Sequence, residues 1–153
     1  MKVLGSIKSS VGRLLALVVI VATCWGCGVS PLVVSMADVN RNGWSEQVDV
    51  CYDNRDTSSL YDMSIALRVG NRFQAKELPL HVVFVTPDSL RYEERVVLPV
   101  KAAPLQDDSR RVEILVPYRR DVRLASRGIY GVSITPECSV VGIEAIGVVF
   151  ENR

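Results

Sequence analysis

The feature that most constrains the fold is an alternation of apolar and polar residues between positions 61 and 69. Successive side chains of a β-strand point to opposite faces, so a period of two predicts a strand with one face in the core. Every odd position is apolar: Tyr61, Met63, Ile65, Leu67 and Val69. Asp62, Ser64 and Arg68 lie between them and face away from the core.

Similar strand patterns follow along the chain, separated by turn signals such as the polar run at 53–59 and Pro87. No 3.6-residue periodicity is sustained after residue 27. We therefore predict an all-β domain over residues 44–153, an antiparallel β-sandwich of about seven to eight strands. A parity break at residues 93–95 predicts a bulge or bend in the strand at 90–100. The predicted core comprises Trp44, Tyr61, Ile65, Leu67, Phe84, Val116, Tyr130 and Phe150.

The beginning of the chain is typical of an exported protein. Residues 1–13 carry three basic residues and no acid, and an unbroken apolar run covers residues 14–22. This run is too short for the roughly 20 residues of a membrane-spanning helix. Residues 21–24 then resemble a bacterial lipobox, which predicts a signal peptide over residues 1–23 and acylation of Cys24. Gly, Pro, Ser and Asn between 28 and 43 predict a tether over residues 24–43.

Three alternatives compete at this position. Cys27 follows an ideal Gly26 and is the alternative acylation site, although Cys24 lies at the more usual distance from the apolar run. Ordinary signal-peptidase cleavage would instead release a periplasmic protein. Cys24 and Cys27 also form a C-x-x-C pair, but no strand precedes it and no helix pattern follows it, as a redox motif requires.

The charge balance and the remaining cysteines restrict the function further. Of 18 basic residues three precede the apolar run, which leaves 15 against 17 acidic residues, so nothing indicates nucleic-acid binding. Cys51 and Cys138 remain after export. They can form a disulfide in an oxidising compartment, or they can be two buried free thiols.

Candidate catalytic and metal-binding residues are few. The single histidine, His81, lies inside a predicted strand, and no nucleophile, phosphate-binding or metal motif accompanies it. Residues 53–56 lack the glycine and distal glutamate of a calcium loop. Glu93 and Glu94 are adjacent and should face opposite sides of a sheet, and the carboxylates at 107 and 108 lie in a polar loop. We expect no enzymatic activity, no metal and no cofactor.

Arginines flank the strand predicted at 112–118, so that both of its ends are basic. Guanidinium groups bind phosphate and carboxylate in bidentate geometry. Arg119, Arg120 and Arg123 are therefore candidate contacts for a lipid headgroup, an acidic glycan or an acidic partner protein. The alternative is that these charges keep the protein soluble and protect the sheet edges. The full set is Arg110, Arg111, Arg119, Arg120, Arg123 and Arg127.

Several short markers, taken in order, resemble the gliding-motility lipoproteins called GldH of the Bacteroidetes. After the lipobox cysteine come Asn42-Gly43-Trp44, a Tyr…Leu-Arg strand at 61–68, an Asp-Ser-Leu-Arg-Tyr segment at 88–92 and Gly-Ile-Tyr at 128–130. A closing Gly-Ile-Glu-Ala-Ile-Gly strand at 142–147 is similar to the family's last strand. Between Val100 and Val112 the chain departs from the family, since it lacks a Gly-x-Trp-x-Gly-x-Gly loop.

The resemblance implies an outer-membrane lipoprotein of a Gram-negative bacterium, with a β-sandwich domain and a non-catalytic role in the gliding and type IX secretion apparatus. It implies that the covalent lipid holds the protein on the membrane and that its partners are envelope proteins. The missing loop implies a divergent member with other contacts. Relatives in bacteria that do not glide imply that motility itself need not follow.

Overall fold

The computed structural model describes residues 33–101 and 111–153, and these residues form eight β-strands and no helix. The described strands are short, and seven of them match segments in which apolar residues recur at the period of a strand. Their bounds are β1 Val33–Asp38, β2 Val48–Asn54, β3 Leu60–Val69, β4 Glu77–Val85, β5 Arg91–Pro99, β6 Val112–Arg123, β7 Gly128–Pro136 and β8 Ile143–Asn152.

The strands form two four-stranded sheets in which every neighbouring pair is antiparallel. One sheet has the order β1-β8-β3-β6 and the other has the order β2-β7-β4-β5. The first four strands alternate between the two sheets, so each connection among them crosses from one sheet to the other. This strand order is that of a jelly roll, a double-sheet sandwich built from two Greek keys. The predicted all-β antiparallel sandwich is confirmed.

The core lies between the sheets and follows the alternation of the strands. β2 alternates buried and exposed residues along its whole length, and the odd residues of β3 are buried from Tyr61 to Val69. Tyr52 stacks on Phe150 with ring centroids 4.2 Å apart, which joins the two sheets at one level. Of the predicted core residues, seven are buried. Phe84 is only half-buried because it lies at an open side of the sandwich.

The first strand lies where a tether was predicted. β1 pairs with β8 from Val33, opposite Phe150, to Asp38, opposite Ala145. Residues 33–43 therefore belong to the domain, which begins at Val33 or before it and not at Trp44. The sequence does not reveal β1 because its six residues show no clear alternation, and its strand conformation depends on pairing with the distant β8.

The prediction of a bulge in the 90–100 strand is wrong. β5 pairs with β4 in one unbroken register from Arg91 to Pro99. The irregularity lies in β6 instead, where the register against β3 shifts twice near Met63. Such bulges add residues to one strand and re-aim its side chains. They leave three consecutive residues, 119–121, exposed.

Consecutive strands run in opposite directions, so each end of the sandwich collects alternate connections. We call the end where β1 begins the proximal end. It contains residues 55–59, 86–90 and 124–127 and the carboxyl terminus. The opposite end, called the distal end, contains residues 39–47, 70–76 and 137–142.

Candidate interaction site

A groove runs along one side of the sandwich, where β5 and β6 lie side by side without hydrogen-bonding to each other. Both strands are the edges of their sheets, so each leaves backbone groups without a strand partner on this side. The groove has a volume of about 230 Å³. Its lining residues are Val82, Phe84, Tyr92, Glu93, Glu94, Tyr118 and Arg119.

A carboxylate with two partners forms the polar centre of the groove. Glu94 pairs with Val82 across β4 and β5, and therefore faces the inner side of its sheet. The Tyr118 hydroxyl donates a hydrogen bond to Glu94 Oε1, and Arg119 Nη2 donates one to Glu94 Oε2. The Arg119 guanidinium carbon also lies 5.6 Å from the centroid of the Tyr118 ring, a cation–π distance. These contacts connect the two edge strands.

These contacts determine the charge of the groove. The hydrogen bond from Arg119 holds the pKa of Glu94 below its usual range, with a further contribution from Tyr118. Burial raises the pKa of Tyr118 above that of free tyrosine, and the neighbouring Glu94 carboxylate raises it further. At neutral pH the groove therefore presents an ionised carboxylate and a neutral phenol.

Aromatic rings give the groove its apolar surface. Tyr92 is 57% exposed even though it faces the inner side of β5, opposite Phe84. Phe84 in turn contacts the ring of Tyr130, with centroids 5.6 Å apart. An exposed tyrosine beside a partly exposed ion pair is a typical composition for a protein-binding surface. Alternation alone assigns Tyr92 to the inner face of the sheet and does not reveal its exposure.

The structure separates the three predicted arginine contacts. Arg119 is engaged in the groove by Glu94. Arg120 and Arg123 are exposed at the proximal end, and neither makes an ion pair with a residue that the structure describes. Arg111 lies at the distal end, where its Nε is 2.5 Å from Glu144 Oε2. The arginines around β6 therefore do not form one cluster, and Arg110 lies outside the described residues.

The single histidine lies on the opposite face of the same sheet from Glu94. His81 Nε2 is 3.4 Å from Glu93 Oε2, and Arg91 Nε is 2.6 Å from Glu93 Oε1. Glu93 and Glu94 thus face opposite sides of β5, as their adjacency predicts. Bonding to Arg91 holds the pKa of Glu93 below its usual range.

The two downstream cysteines are free and exposed. Cys51 lies opposite Gly131 on β7, whereas Cys138 follows the end of that strand. Five residues of extended chain separate Gly131 from Pro136, about 17 Å, and a disulfide requires Cα atoms within about 7 Å. The disulfide considered for Cys51 and Cys138 therefore does not form in this fold. Their burial as core thiols is also wrong, since both lie at the surface.

The buried side-chain amide of Asn54 fixes the connection 124–127, which follows Arg123 and contains Arg127. Asn54 is 1% exposed, and its Nδ2 donates hydrogen bonds to Leu124 O at 3.1 Å and Ser126 O at 2.9 Å. The Tyr130 hydroxyl accepts from Ser126 N at 3.0 Å and donates to Ser126 O. Asn54 is therefore a positioning residue for 124–127. From the sequence alone, Asn54 cannot be told apart from the other polar residues of the adjoining turn.

Other expectations concern metals and the membrane. In residues 33–101 and 111–153, no three His, Cys, Asp or Glu side chains come together as a metal site. The described part of the chain also contains no helix with the length and apolarity needed to cross a bilayer. The acylation candidates Cys24 and Cys27, the signal peptide and the acidic pair at 107–108 lie outside the described residues.

Comparison with known proteins adds no assignment, because no family model and no curated protein matches the chain.

Proposed function

We propose that the protein is a non-catalytic lipoprotein of the bacterial envelope that binds a partner protein through the groove between β5 and β6. Cys24, or alternatively Cys27, carries the lipid and holds the chain on the outer membrane. Its role is similar to that of GldH in the gliding and type IX secretion apparatus. Tyr92 carries the proposal, since it is the exposed aromatic residue of the groove.

Three properties of the groove support a protein partner. Tyrosine and arginine are enriched among the residues that dominate binding energy at interfaces, and Tyr92, Tyr118 and Arg119 lie together here. Glu94 and Arg119 already satisfy each other, so a partner does not have to neutralise an isolated charge. The free edges of β5 and β6 can also accept an extended segment by β-augmentation.

The groove can be tested in cells with a photo-crosslinking amino acid at position 92. Position 97 is the matched control, because Val97 is on the same strand, is equally exposed at 57% and faces the other side of the sheet. We expect a discrete envelope-protein adduct at position 92 that is about tenfold weaker at position 97. Equal adducts at both positions, or none at position 92, would contradict the proposal.

A reconstituted complex then measures the contribution of the side chain. Tyr92→Ala should weaken binding of the crosslinked partner by about 10- to 100-fold, the range expected for an interface aromatic. Val97→Ala should leave the affinity unchanged. If the two substitutions weaken binding equally, the groove is not the binding surface.

The lipid anchor has its own test. Globomycin blocks the signal peptidase that processes lipoproteins, so it should cause the precursor to accumulate. Mass spectrometry of the mature amino terminus should show an acylated Cys24, or Cys27 if the alternative is right. A free, unacylated amino terminus would refute the anchor.

A second candidate function is binding of an acidic glycan or a lipid headgroup. The exposure of Arg120 and Arg123, without ion pairs to described residues, favours it. The double substitution Arg120→Ala/Arg123→Ala should abolish salt-sensitive binding to polygalacturonate or to phosphatidylglycerol vesicles. Arg68→Ala is the control, since Arg68 pairs with Glu113 on a sheet face. Unchanged binding in the double variant would exclude this function.

A further inference from the structure

Exposed apolar side chains are concentrated at the proximal end. Among the described residues, eight large hydrophobic side chains are exposed, and five of them lie within two residues of the start of a strand that runs away from this end. They are Val34, Leu60, Leu90, Tyr92 and Ile129. By the same criterion the distal end has two of the exposed set, Val97 and Val141, and Leu115 lies three residues inside β6. Such an uneven distribution marks a surface that something covers.

The same end receives the chain from the predicted anchor. Val33 pairs with Phe150, Phe150 with Met63 and Met63 with Arg119, so the start of β1 is level with the last five residues of β6. Val33 is the ninth residue after Cys24 and the sixth after Cys27. At full extension these segments reach only about 32 Å and about 22 Å.

This length favours one end of the sandwich as the face toward the bilayer. Val33 pairs with Phe150, which lies seven residues after the first residue of β8, and seven residues of strand span about 23 Å. With the distal end on the bilayer, Val33 would therefore lie at least about 23 Å above it. A tether from Cys24 would have to be mostly extended, and a tether from Cys27 would fall short. With the proximal end on the bilayer, either tether is long enough.

We propose that the proximal end of the sandwich lies on the membrane that holds the anchor, with Leu60, Leu90 and Ile129 at headgroup level. The inference rests on the proposed lipid anchor and adds the orientation of the domain. Leu90 and Ile129 are 52% and 63% exposed, so they meet the lipid without any change of fold. Partly buried apolar side chains at the interface add to the binding of the acyl chains.

The charges at this end fit headgroup contact. Arg123 pairs with Leu60 in the sheet, and Arg127 lies next to the turn before Ile129. Each long side chain can extend to a lipid phosphate beside the apolar residue. Asp88 and Glu151 are also exposed at this end. Headgroup binding therefore depends on individual arginines and not on a large positive potential.

Tryptophan quenching in reconstituted vesicles tests the orientation. The full mature lipoprotein is placed in phosphatidylethanolamine–phosphatidylglycerol vesicles with and without brominated acyl chains, as Leu60→Trp, Leu90→Trp, Ile129→Trp or the distal control Val141→Trp. The wild-type signal of Trp25 and Trp44 is subtracted. We expect quenching at the three proximal positions to exceed that at 141 by about threefold or more, as for side chains at headgroup level.

The outcomes separate this inference from the proposed function. A protein that floats with the vesicles but shows equal quenching at 90, 129 and 141 retains its anchor and overturns the orientation. A mature wild-type chain that fails to float has no anchor and overturns both.

Hydrogen exchange provides a second measurement in which residues 33–153 carry no substitution. Amides in residues 86–90 and 55–60 should exchange more slowly on vesicles than in a Cys24→Ser/Cys27→Ser variant without lipid, whereas residues 137–142 should not change. Protection that rises with the density of protein in the vesicle would indicate a second copy as the covering surface and would also overturn the inference.

Discussion

The two ends of the sandwich are closed in different ways. At the distal end the connections bind one another through the backbone: Trp44 and Val140 exchange two hydrogen bonds of 2.8 and 2.9 Å, and Gly142 N donates to Arg41 O. The Trp44 ring is buried beneath them. At the proximal end no backbone–backbone hydrogen bond joins one described turn to another: Ser58 and Ser59 bond Asp56 within their own turn, and residues 124–127 are held by the Asn54 side chain.

This difference indicates which end is complete by itself. Interlocked loops cover the apolar interior at the distal end and leave a polar surface, with Arg41 and Arg72 around a pocket of about 270 Å³. Separate turns at the proximal end leave leucine and isoleucine side chains in water. Burial of such side chains is favourable by about 25 cal/mol per Å², so the proximal end gains most from an external surface.

The largest expected effect separates the two ends through one glycine in each. Gly142 has φ +89°, and a Cβ there would lie 2.3 Å from Phe73 N, which is backbone and cannot move freely. Gly142→Ala should therefore lower the free energy of unfolding by about 3 kcal/mol. Urea denaturation followed by Trp44 fluorescence measures it.

Gly128→Ala is the matched change at the proximal end. Gly128 has φ +124°, but its Cβ would lie 3.1 Å from Pro87 Cβ, a contact that a shift of a few tenths of an ångström relieves. We expect a loss of about 1 to 2 kcal/mol. Both substitutions restrict the unfolded chain equally, so the difference reports the rigidity of the two ends. Equal losses would refute the contrast.

Asn54→Ala should weaken the proximal end by about 2 kcal/mol, because it removes the side-chain donor to Leu124 O and one of the two side-chain donors to Ser126 O. Hydrogen exchange at residues 124–127 should accelerate together with the loss of stability. Asn42→Ala is the control, since its amide oxygen only accepts an exposed bond from Arg72. The control should change stability by less than about 0.5 kcal/mol.

The groove should make a smaller, pH-dependent contribution. The pKa of Glu94 is lower in the folded protein than its ordinary value of 4.5, chiefly because of Arg119. Its stabilising effect is therefore complete above about pH 4.5 and is lost as the pH falls through the lower folded value. For a partly exposed pair we expect less than about 1 kcal/mol.

Glu94→Gln should flatten the acid branch of the stability curve, measured by urea denaturation between pH 6 and pH 3. Glu151→Gln removes a carboxylate from the proximal end without changing the groove. If Glu94→Gln leaves the acid branch as steep as in the wild type, the contact with Arg119 does not stabilise the fold.

The smallest effect is expected from the exposed apolar residues themselves. Leu90→Ser/Ile129→Ser should change the free energy of unfolding in detergent by less than about 0.5 kcal/mol, since neither side chain packs in the core. The same double variant should lose stability relative to the wild type once both are in vesicles. If its stability falls equally in detergent, these residues serve the fold and not a lipid surface.

Most of the fold could be predicted from the sequence because alternation is local. Seven strands correspond to short apolar segments between turn signals, several of which alternate as β3 does, and seven of the eight proposed core residues are buried. β1 could not be predicted, since its conformation depends on β8, more than 100 residues away. The inward-facing Glu94 was interpreted as a bulge because the sequence does not show that Tyr118 and Arg119 receive it from another sheet.

The candidate site was predictable only in part. Arg119 was selected from charge and does line the groove, but its partner and the separation from Arg120 depend on the β6 bulges. Tyr92 could not be selected, because a sequence does not show where two sheets leave a side open. The clustering of Leu60, Leu90 and Ile129 depends on the winding of the chain, which local patterns do not encode.

The position of β8 also governs how the protein reaches its native state. The last strand of the chain lies between β1 and β3, so that sheet cannot assemble in its final order until residues 143–152 have been synthesised. Contacts between segments so distant in sequence form slowly. A nascent chain that lacks residues 143–152 therefore cannot complete this sheet. Removal of these residues would leave β1 without the strand that it pairs with among the described residues.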